Sequence, residues 1–214
     1  IFVPNCGHCE PCMSGRPALC EPGAEANAVG EMLNGGRRLS WKNGQPINHQ
    51  VGVSCFAEYS VASECSLVKI DQSLPLTEAA LFSCAVITGA GAVLNAAQMP
   101  SGTTAAIVGC GGVGLNALLA TKMLGAERIV AIDRDERKLG HAEQLGATDT
   151  FSAEDPNCVE NVLDATGGGL MYAFEAAGSV DAMEIAYNVT RRGGTVTTVG
   201  LSHPDQNFTI QHVN

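Results

Sequence analysis

Four cysteines crowd the start of the chain as Cys6-x-x-Cys9-x-x-Cys12, followed by Cys20. Four thiolates this close can close a tetrahedral Zn²⁺ site with no open position, which is the form of a structural metal. An iron–sulfur cluster is the chemical competitor, since the bacterial ferredoxin run reads C-x₂-C-x₂-C-x₃-C-P. Here the last gap is seven residues and Glu21 follows Cys20, which favours zinc. Structural disulfides are the plain alternative. The first twenty residues carry no apolar core of a signal peptide, so a reducing, cytoplasmic setting is expected and disulfides are disfavoured. His8, between two candidate ligands, reads as loop.

The second constellation is Gly109-Cys110-Gly111-Gly112-Val113-Gly114, a G-x-G-x-x-G turn. The first glycine allows the tight turn, and the second leaves bare backbone for a pyrophosphate. The third lets helix and strand approach, and the helix N-terminus then offers amide N–H groups to the phosphates. Asp133 follows about 20 residues beyond the turn, where a carboxylate can accept hydrogen bonds from an adenosine ribose diol and repel a 2′-phosphate. NAD is therefore preferred over NADP, although the neighbouring Arg134 runs against that preference. The plain alternative for Asp133 is a turn aspartate capping the next helix. Lys138 can reach the same ribose or be a solvated lysine.

These residues need elements to hold them. Residues 1–22 read as a proline-interrupted loop without regular helix, and 23–50 as a long polar, glycine-rich excursion. Strand candidates run from Cys55 to Ala62 and from Ser66 to Ile70, and 76–98 carries helical spacing. From Thr103 the pattern alternates: strand 103–109, helix 112–125, strand 128–133, helix 135–145, a short strand at 149–151, helix 156–165, strand 171–176, helix 180–191 capped by Ser179, and strand 195–201. Alternation of this kind with short connections predicts an α/β fold, a doubly wound parallel sheet of the Rossmann type.

The net charge of −10 argues against non-specific nucleic-acid binding and against docking on anionic membranes. The most apolar stretch, 79–97, is too interrupted by polar residues and glycines to read as a membrane span. Both ends look cut: the chain starts at Ile1, almost within the cysteine cluster, and stops after a strand-like run. A piece of a longer protein is the expectation.

The combined motifs resemble the zinc-dependent medium-chain alcohol dehydrogenases. The resemblance is carried by Phe2-x-Pro4-x-Cys6-Gly7, the four cysteines, Gly35 to Val61, Ala80 to Gly89, Gly109 to Gly114, Asp133, Asp164 to Gly169 and Phe174 to Gly178. It implies part of a GroES-like all-β catalytic domain over 1–85, with a zinc lobe at 6–20, and a C-terminally truncated NAD-binding domain over 86–214. It also implies roles that spacing alone does not. Cys84 becomes a catalytic-zinc ligand, where the residues alone suggest a buried apolar cysteine on a helix. Thr88 and Val113 would touch the nicotinamide, and Val199, Gly200 and Leu201 would line its pocket, where the plain alternative is strand core. Cys55, Cys65, Cys110 and Cys158 read as small core or loop residues.

The implied reaction is hydride transfer between an alcohol and NAD, with zinc as Lewis acid on the alcohol oxygen. Relatives acting on S-(hydroxymethyl)glutathione, another thiol adduct or a polyol share the motifs. A nucleotide- and zinc-binding module without turnover is the alternative from a different class. The family's other catalytic-zinc ligands and the hydroxyl that starts its proton relay belong to a region before the zinc lobe. They have no counterpart here, so residues 1–214 alone are expected to be inactive. The long segment 27–50 resembles that of the dimeric branch, which implies a homodimer.

Overall fold

The computed structural model describes residues 4–210. The chain divides into two compact units, Ile1–Pro75 and Leu76–Asn214. The division falls before the helical region, where the sequence places the boundary at 85/86. Phe2 lies outside the described residues.

The second unit is the parallel sheet that the alternating pattern predicts. Its strands are β3 (Thr104–Val108), β4 (Arg128–Asp133), β5 (Asp149–Ser152), β6 (Leu170–Glu175) and β7 (Thr190–Thr198). All pair in parallel, in the order β5-β4-β3-β6-β7. The connecting helices are α5 (Gly112–Met123), α6 (Glu136–Leu145), α7 (Cys158–Thr166) and α8 (Val180–Asn188). Side chains alternate across a strand, and the burial follows that period. Ala105, Ile107, Ile129 and Ala131 pack on one face with Leu118 of α5 and Leu139 of α6. Ala106, Val108, Val130 and Ile132 pack on the other with Val162 of α7 and Ala186 of α8. With both faces covered, the central strands β3, β4 and β6 read as largely apolar runs, while the edge strands β5 and β7 are more polar.

The chain winds outward from β3 to β4 and β5, then crosses back to place β6 on the other side of β3. The C-terminal tips of β3 and β6 therefore lie side by side where the winding reverses, the place where open α/β sheets bind ligands. Strand β7 starts at Thr190 and ends at Thr198, earlier than the 195–201 read from the sequence. Its register slips between Leu170 and Tyr172 of β6, and Gly193 takes a positive φ there (78°). Gly193 and Gly194 lie within the strand, and the preceding helix stops at Asn188, before the 191 expected from the sequence.

Two charged side chains tie β4 to β5. Arg128 donates from Nε and a terminal nitrogen to Asp149, at 2.8 and 2.7 Å. This bidentate pair holds the Asp149 carboxyl below its ordinary pKa. The stabilisation is present above the unfolded carboxyl value and is lost as pH falls through the depressed folded one. Asp149→Asn is expected to cost about 1 kcal/mol at pH 7. The gap in melting temperature from the parent should close below about pH 4.

The region read as one helix over 76–98 is broken. It comprises α3 (Leu76–Ala79), a 3₁₀ turn (Ala80–Ser83), α4 (Ala85–Gly91) and a π-helical stretch (Ala92–Ala96). Among the described residues no single helix is long and apolar enough to cross a membrane. The apolar pair Leu76–Ser83 and Ala85–Ala96 is bent by 44°.

The first unit corrects three sequence expectations. Helices do form near the N-terminus, as α1 (Glu10–Met13) and α2 (Glu21–Ala28). Pro11 and Pro22 stand in the first helical turns, where a missing N–H costs nothing. The excursion over 23–50 contains α2 and a hairpin of β1 (Leu39–Ser40) and β2 (Pro46–Ile47), with Leu39 opposite Ile47. The strands expected at 55–62 and 66–70 are absent, and only a 3₁₀ turn occurs, at Glu64–Ser66. Strands need a neighbouring edge for their backbone groups, and among the described residues none pairs with this stretch. Phe56 and Tyr59 stand fully exposed accordingly.

Candidate functional site

In the first unit the four cysteine sulfurs lie within 4.8 Å of one another. Tetrahedral zinc with bonds near 2.3 Å requires sulfur separations of about 3.8 Å, so the cluster fits that ion. Backbone amides already face the sulfurs. Cys20 Sγ accepts from the Cys6 and Gly23 amides, both at 3.3 Å, and Cys6 Sγ accepts from the Cys9 amide at 3.3 Å. Cys20 also caps α2. A Cβ on Gly23 would lie 1.8 Å from the Pro4 carbonyl oxygen, so only glycine lets this turn close on the sulfur. The His8 amide beside Cys6 lowers that thiol to about 6. Burial raises Cys12 to about 11. Cys6 and Cys12 are thus shifted in opposite directions, and a bound dication would deprotonate its thiol ligands outright. The His8 ring faces the Cys6 carbonyl at 2.8 Å and serves the loop.

In the second unit the glycine turn joins β3 to α5 as the motif requires. Gly109 has φ +94°, and a Cβ there would meet the Ala177 amide nitrogen at 2.6 Å. A Cβ on Gly114 would lie 1.8 Å from the Gly109 oxygen. At Gly111 no atom lies within 4 Å of the Cβ position. The first and third glycines thus serve packing, and the second borders open space, as a pyrophosphate cradle needs. Gly112 begins α5 and presents its N-terminus to that space.

Asp133, at the tip of β4, is 6% exposed. Its Oδ2 accepts from the Cys110 amide at 2.7 Å and its Oδ1 from the Asp135 amide at 2.9 Å. It therefore braces the glycine turn from the next strand. A carboxylate has about four acceptor positions, so about two remain for a diol. The helix cap is Asp135, which accepts from the Arg137 amide at 3.0 Å. Lys138 Nζ lies 3.8 Å from Asp133 Oδ2. Cys110 is buried, and burial together with the Asp133 charge raises its thiol to about 12.

Helix α4 lies against α5. A Cβ on Gly89 would meet the Val113 oxygen at 2.2 Å, and one on Gly112 would stand 3.5 Å from the Ala85 Cβ. This contact brings Cys84 and Thr88 alongside the glycine turn. Cys84 is exposed at the kink before α4 (φ −138°, ψ −74°), not buried as its residue type alone suggests. Among the described residues only Cys6, Cys9, Cys12 and Cys20 gather as a metal-ligand set, and none joins Cys84. Cys55 and Cys65 are exposed and Cys158 is buried. Val199 follows β7 and packs on the core, while Gly200 and Leu201 continue past it.

One residue within the stretch Phe174 to Gly178 has no role of its own in the sequence reading. Glu175 ends β6 as Asp133 ends β4, and it is 2% exposed. Its Oε1 accepts from the Ala177 and Gly178 amides at 2.8 and 2.6 Å, and its Oε2 from the Thr198 hydroxyl at 2.7 Å. The signal was available: a carboxylate closing an apolar strand just before Ala-Ala-Gly.

Residues 112–214 match the family model described as zinc-binding dehydrogenase. The probable S-(hydroxymethyl)glutathione dehydrogenase 1 of Schizosaccharomyces pombe is 38% identical over 204 residues, 94% of this chain and 54% of that protein. The class-3 alcohol dehydrogenase of Drosophila melanogaster is 37% identical over 216 residues, 99% of this chain and 57% of that protein. An alcohol dehydrogenase zinc-binding domain protein from Burkholderia ambifaria superposes with a TM-score of 0.88 at 31% identity, covering 97% of this chain and 57% of that one. The chain thus spans little more than half the length of the curated relatives it matches.

Proposed function

The chain belongs to the zinc-dependent medium-chain alcohol dehydrogenase family, and on that premise we propose that it supplies the structural-zinc lobe and the NAD site of an enzyme that oxidises an alcohol. The observation that carries this reading is the turn at Gly109–Gly114 braced by Asp133, with open space at Gly111. When bound, NAD supplies the hydride acceptor.

The chain's own residues do the placing. The α5 N-terminus and the bare backbone at Gly111 and Gly112 hold the pyrophosphate. Asp133 and Lys138 hold the adenosine ribose. Val113, Thr88, Val199, Gly200 and Leu201 border the nicotinamide. Cys6, Cys9, Cys12 and Cys20 hold the structural zinc. Cys84 is one ligand for a catalytic zinc. Among the described residues no full ligand set gathers around it. A small alcohol or its aldehyde is the substrate, and the name of the Schizosaccharomyces pombe relative favours an S-(hydroxymethyl)glutathione-type thiol adduct as a second reading. A homodimer in a reducing, cytoplasmic compartment completes the proposal.

Asp133→Asn keeps the side-chain shape but removes an acceptor from the ribose. NAD affinity is expected to fall about tenfold, with NADP affected less. Titration of both nucleotides checks this, and an unchanged NAD/NADP ratio refutes the ribose role. NADH binding without turnover on a broad alcohol panel would leave the binding-module reading for this chain.

A further inference from the structure

Glu175 is a buried carboxylate whose charge no cation balances. Among the described residues it makes no ion pair. Its partners are two backbone amides and one hydroxyl, with both oxygens accepting. The same residue's carbonyl accepts from the Val199 amide at 2.9 Å and the Gly200 amide at 3.3 Å. Glu175 therefore fastens two tips at once. One is the Ala177 loop, which lies over Gly109, and the other is the segment after β7. A Cβ on Gly200 would stand 2.7 Å from Glu175 Oε1. Glu175, Gly178, Thr198 and Gly200 line a cavity of about 250 Å³.

We propose that Glu175 is a specificity-determining residue that favours the oxidised cofactor over the reduced one, by setting a fixed negative charge directly behind the nicotinamide wall. This rests on the reading of Val199, Gly200 and Leu201 as that wall. The oxidised nicotinamide ring carries a positive charge and the reduced ring carries none. The adenosine half is the same in both forms, so Asp133 and the glycine turn do not distinguish them. A carboxylate shielded from water acts on the ring through protein rather than solvent, where a unit charge is felt most strongly. Its three hydrogen bonds hold it in place without neutralising it.

The test compares NAD⁺ and NADH affinities, by calorimetry and by NADH fluorescence, for the parent, Glu175→Gln and Glu175→Asp. Glutamine is nearly isosteric, and the Thr198 hydroxyl can turn to accept from its amide, so the fold is expected to survive. Glu175→Gln should weaken NAD⁺ about threefold to tenfold more than NADH. Glu175→Asp, which keeps the charge, should leave the ratio within about twofold of the parent even where both affinities drop. Equal losses of both forms in Glu175→Gln, or a ratio that moves as far in Glu175→Asp, overturn the proposal and leave a purely structural carboxylate. Failure of the underlying site reading looks different: the parent then binds neither form, or binds both with Asp133→Asn making no difference.

Discussion

Cys20→Ser is expected to abolish zinc binding and unfold the N-terminal unit while the parallel sheet stays folded. The expectation follows from how little else holds that unit together. Its described buried apolar side chains are only Pro4, Cys20 and Met32, whereas the second unit carries two apolar layers. A segment with so small a core needs a metal or another staple. Structural zinc in small domains contributes about 10 kcal/mol or more of apparent folding free energy. Cys20 is fully buried, caps α2 and accepts two of the amides around the cluster. Serine is shorter and a poor zinc ligand, so it loses the metal and both contacts. Metal analysis should show one zinc fewer per chain, and thermal melting followed by circular dichroism should keep the transition of the parallel sheet while the signal of the N-terminal unit is lost from the start. A chelator should do the same to the parent, and Cys55→Ser, at an exposed lone cysteine, should do neither. A Cys20→Ser protein with full zinc and the parent's melting curve would rule out the four-cysteine site.

The glycine turn allows a second large effect, which separates folding from binding. Gly114→Ala puts a methyl group 1.8 Å from a backbone oxygen that cannot move without shifting β3. Helix α5 must move off the strand, at a cost on the order of 3 kcal/mol or more. Gly111→Ala puts its methyl where no atom lies within 4 Å, at an ordinary backbone φ of −81°. Its stability in urea should match the parent's. The methyl nevertheless occupies the approach of the pyrophosphate, so NAD affinity should fall about tenfold or more. Full NAD affinity in Gly111→Ala would place the dinucleotide elsewhere.

The second unit was legible because its signals are local and repeated. The central strands β3, β4 and β6 are largely apolar runs, and strand and helix patterns alternate from Thr103 to Thr198. The turn and Asp133 were legible for the same reason, since their spacing reflects a single β-α-β unit. The first unit was less so. The alternation at Cys55 to Ala62 is a true strand signal, yet strand formation depends on an edge supplied from elsewhere, and pattern carries no knowledge of that edge. Pro11 and Pro22 were read as helix breakers because position within a helix decides their effect, and position was unknown. Cys84 looked like a core cysteine because residue type reports average burial, while the break before α4 turns it outward. Glu175 has no role legible in the sequence because one of its three partners, Thr198, lies on the neighbouring strand β7.

The return of the chain to β3 also bears on how the sheet assembles. Strands β3 and β4 are joined through one helix and can pair early. The far edge of β3 waits for β6, whose Met171 amide reaches the Thr104 hydroxyl across 67 residues of sequence. Closing that span carries an entropy cost that rises with loop length, so this pairing is expected to come late. Until it does, Ala105, Ala106, Ile107 and Val108 present an apolar strand with an open side. The most aggregation-prone moment in the life of the molecule is therefore the interval before β6 docks, and concentration during refolding should decide yield more strongly than final stability does.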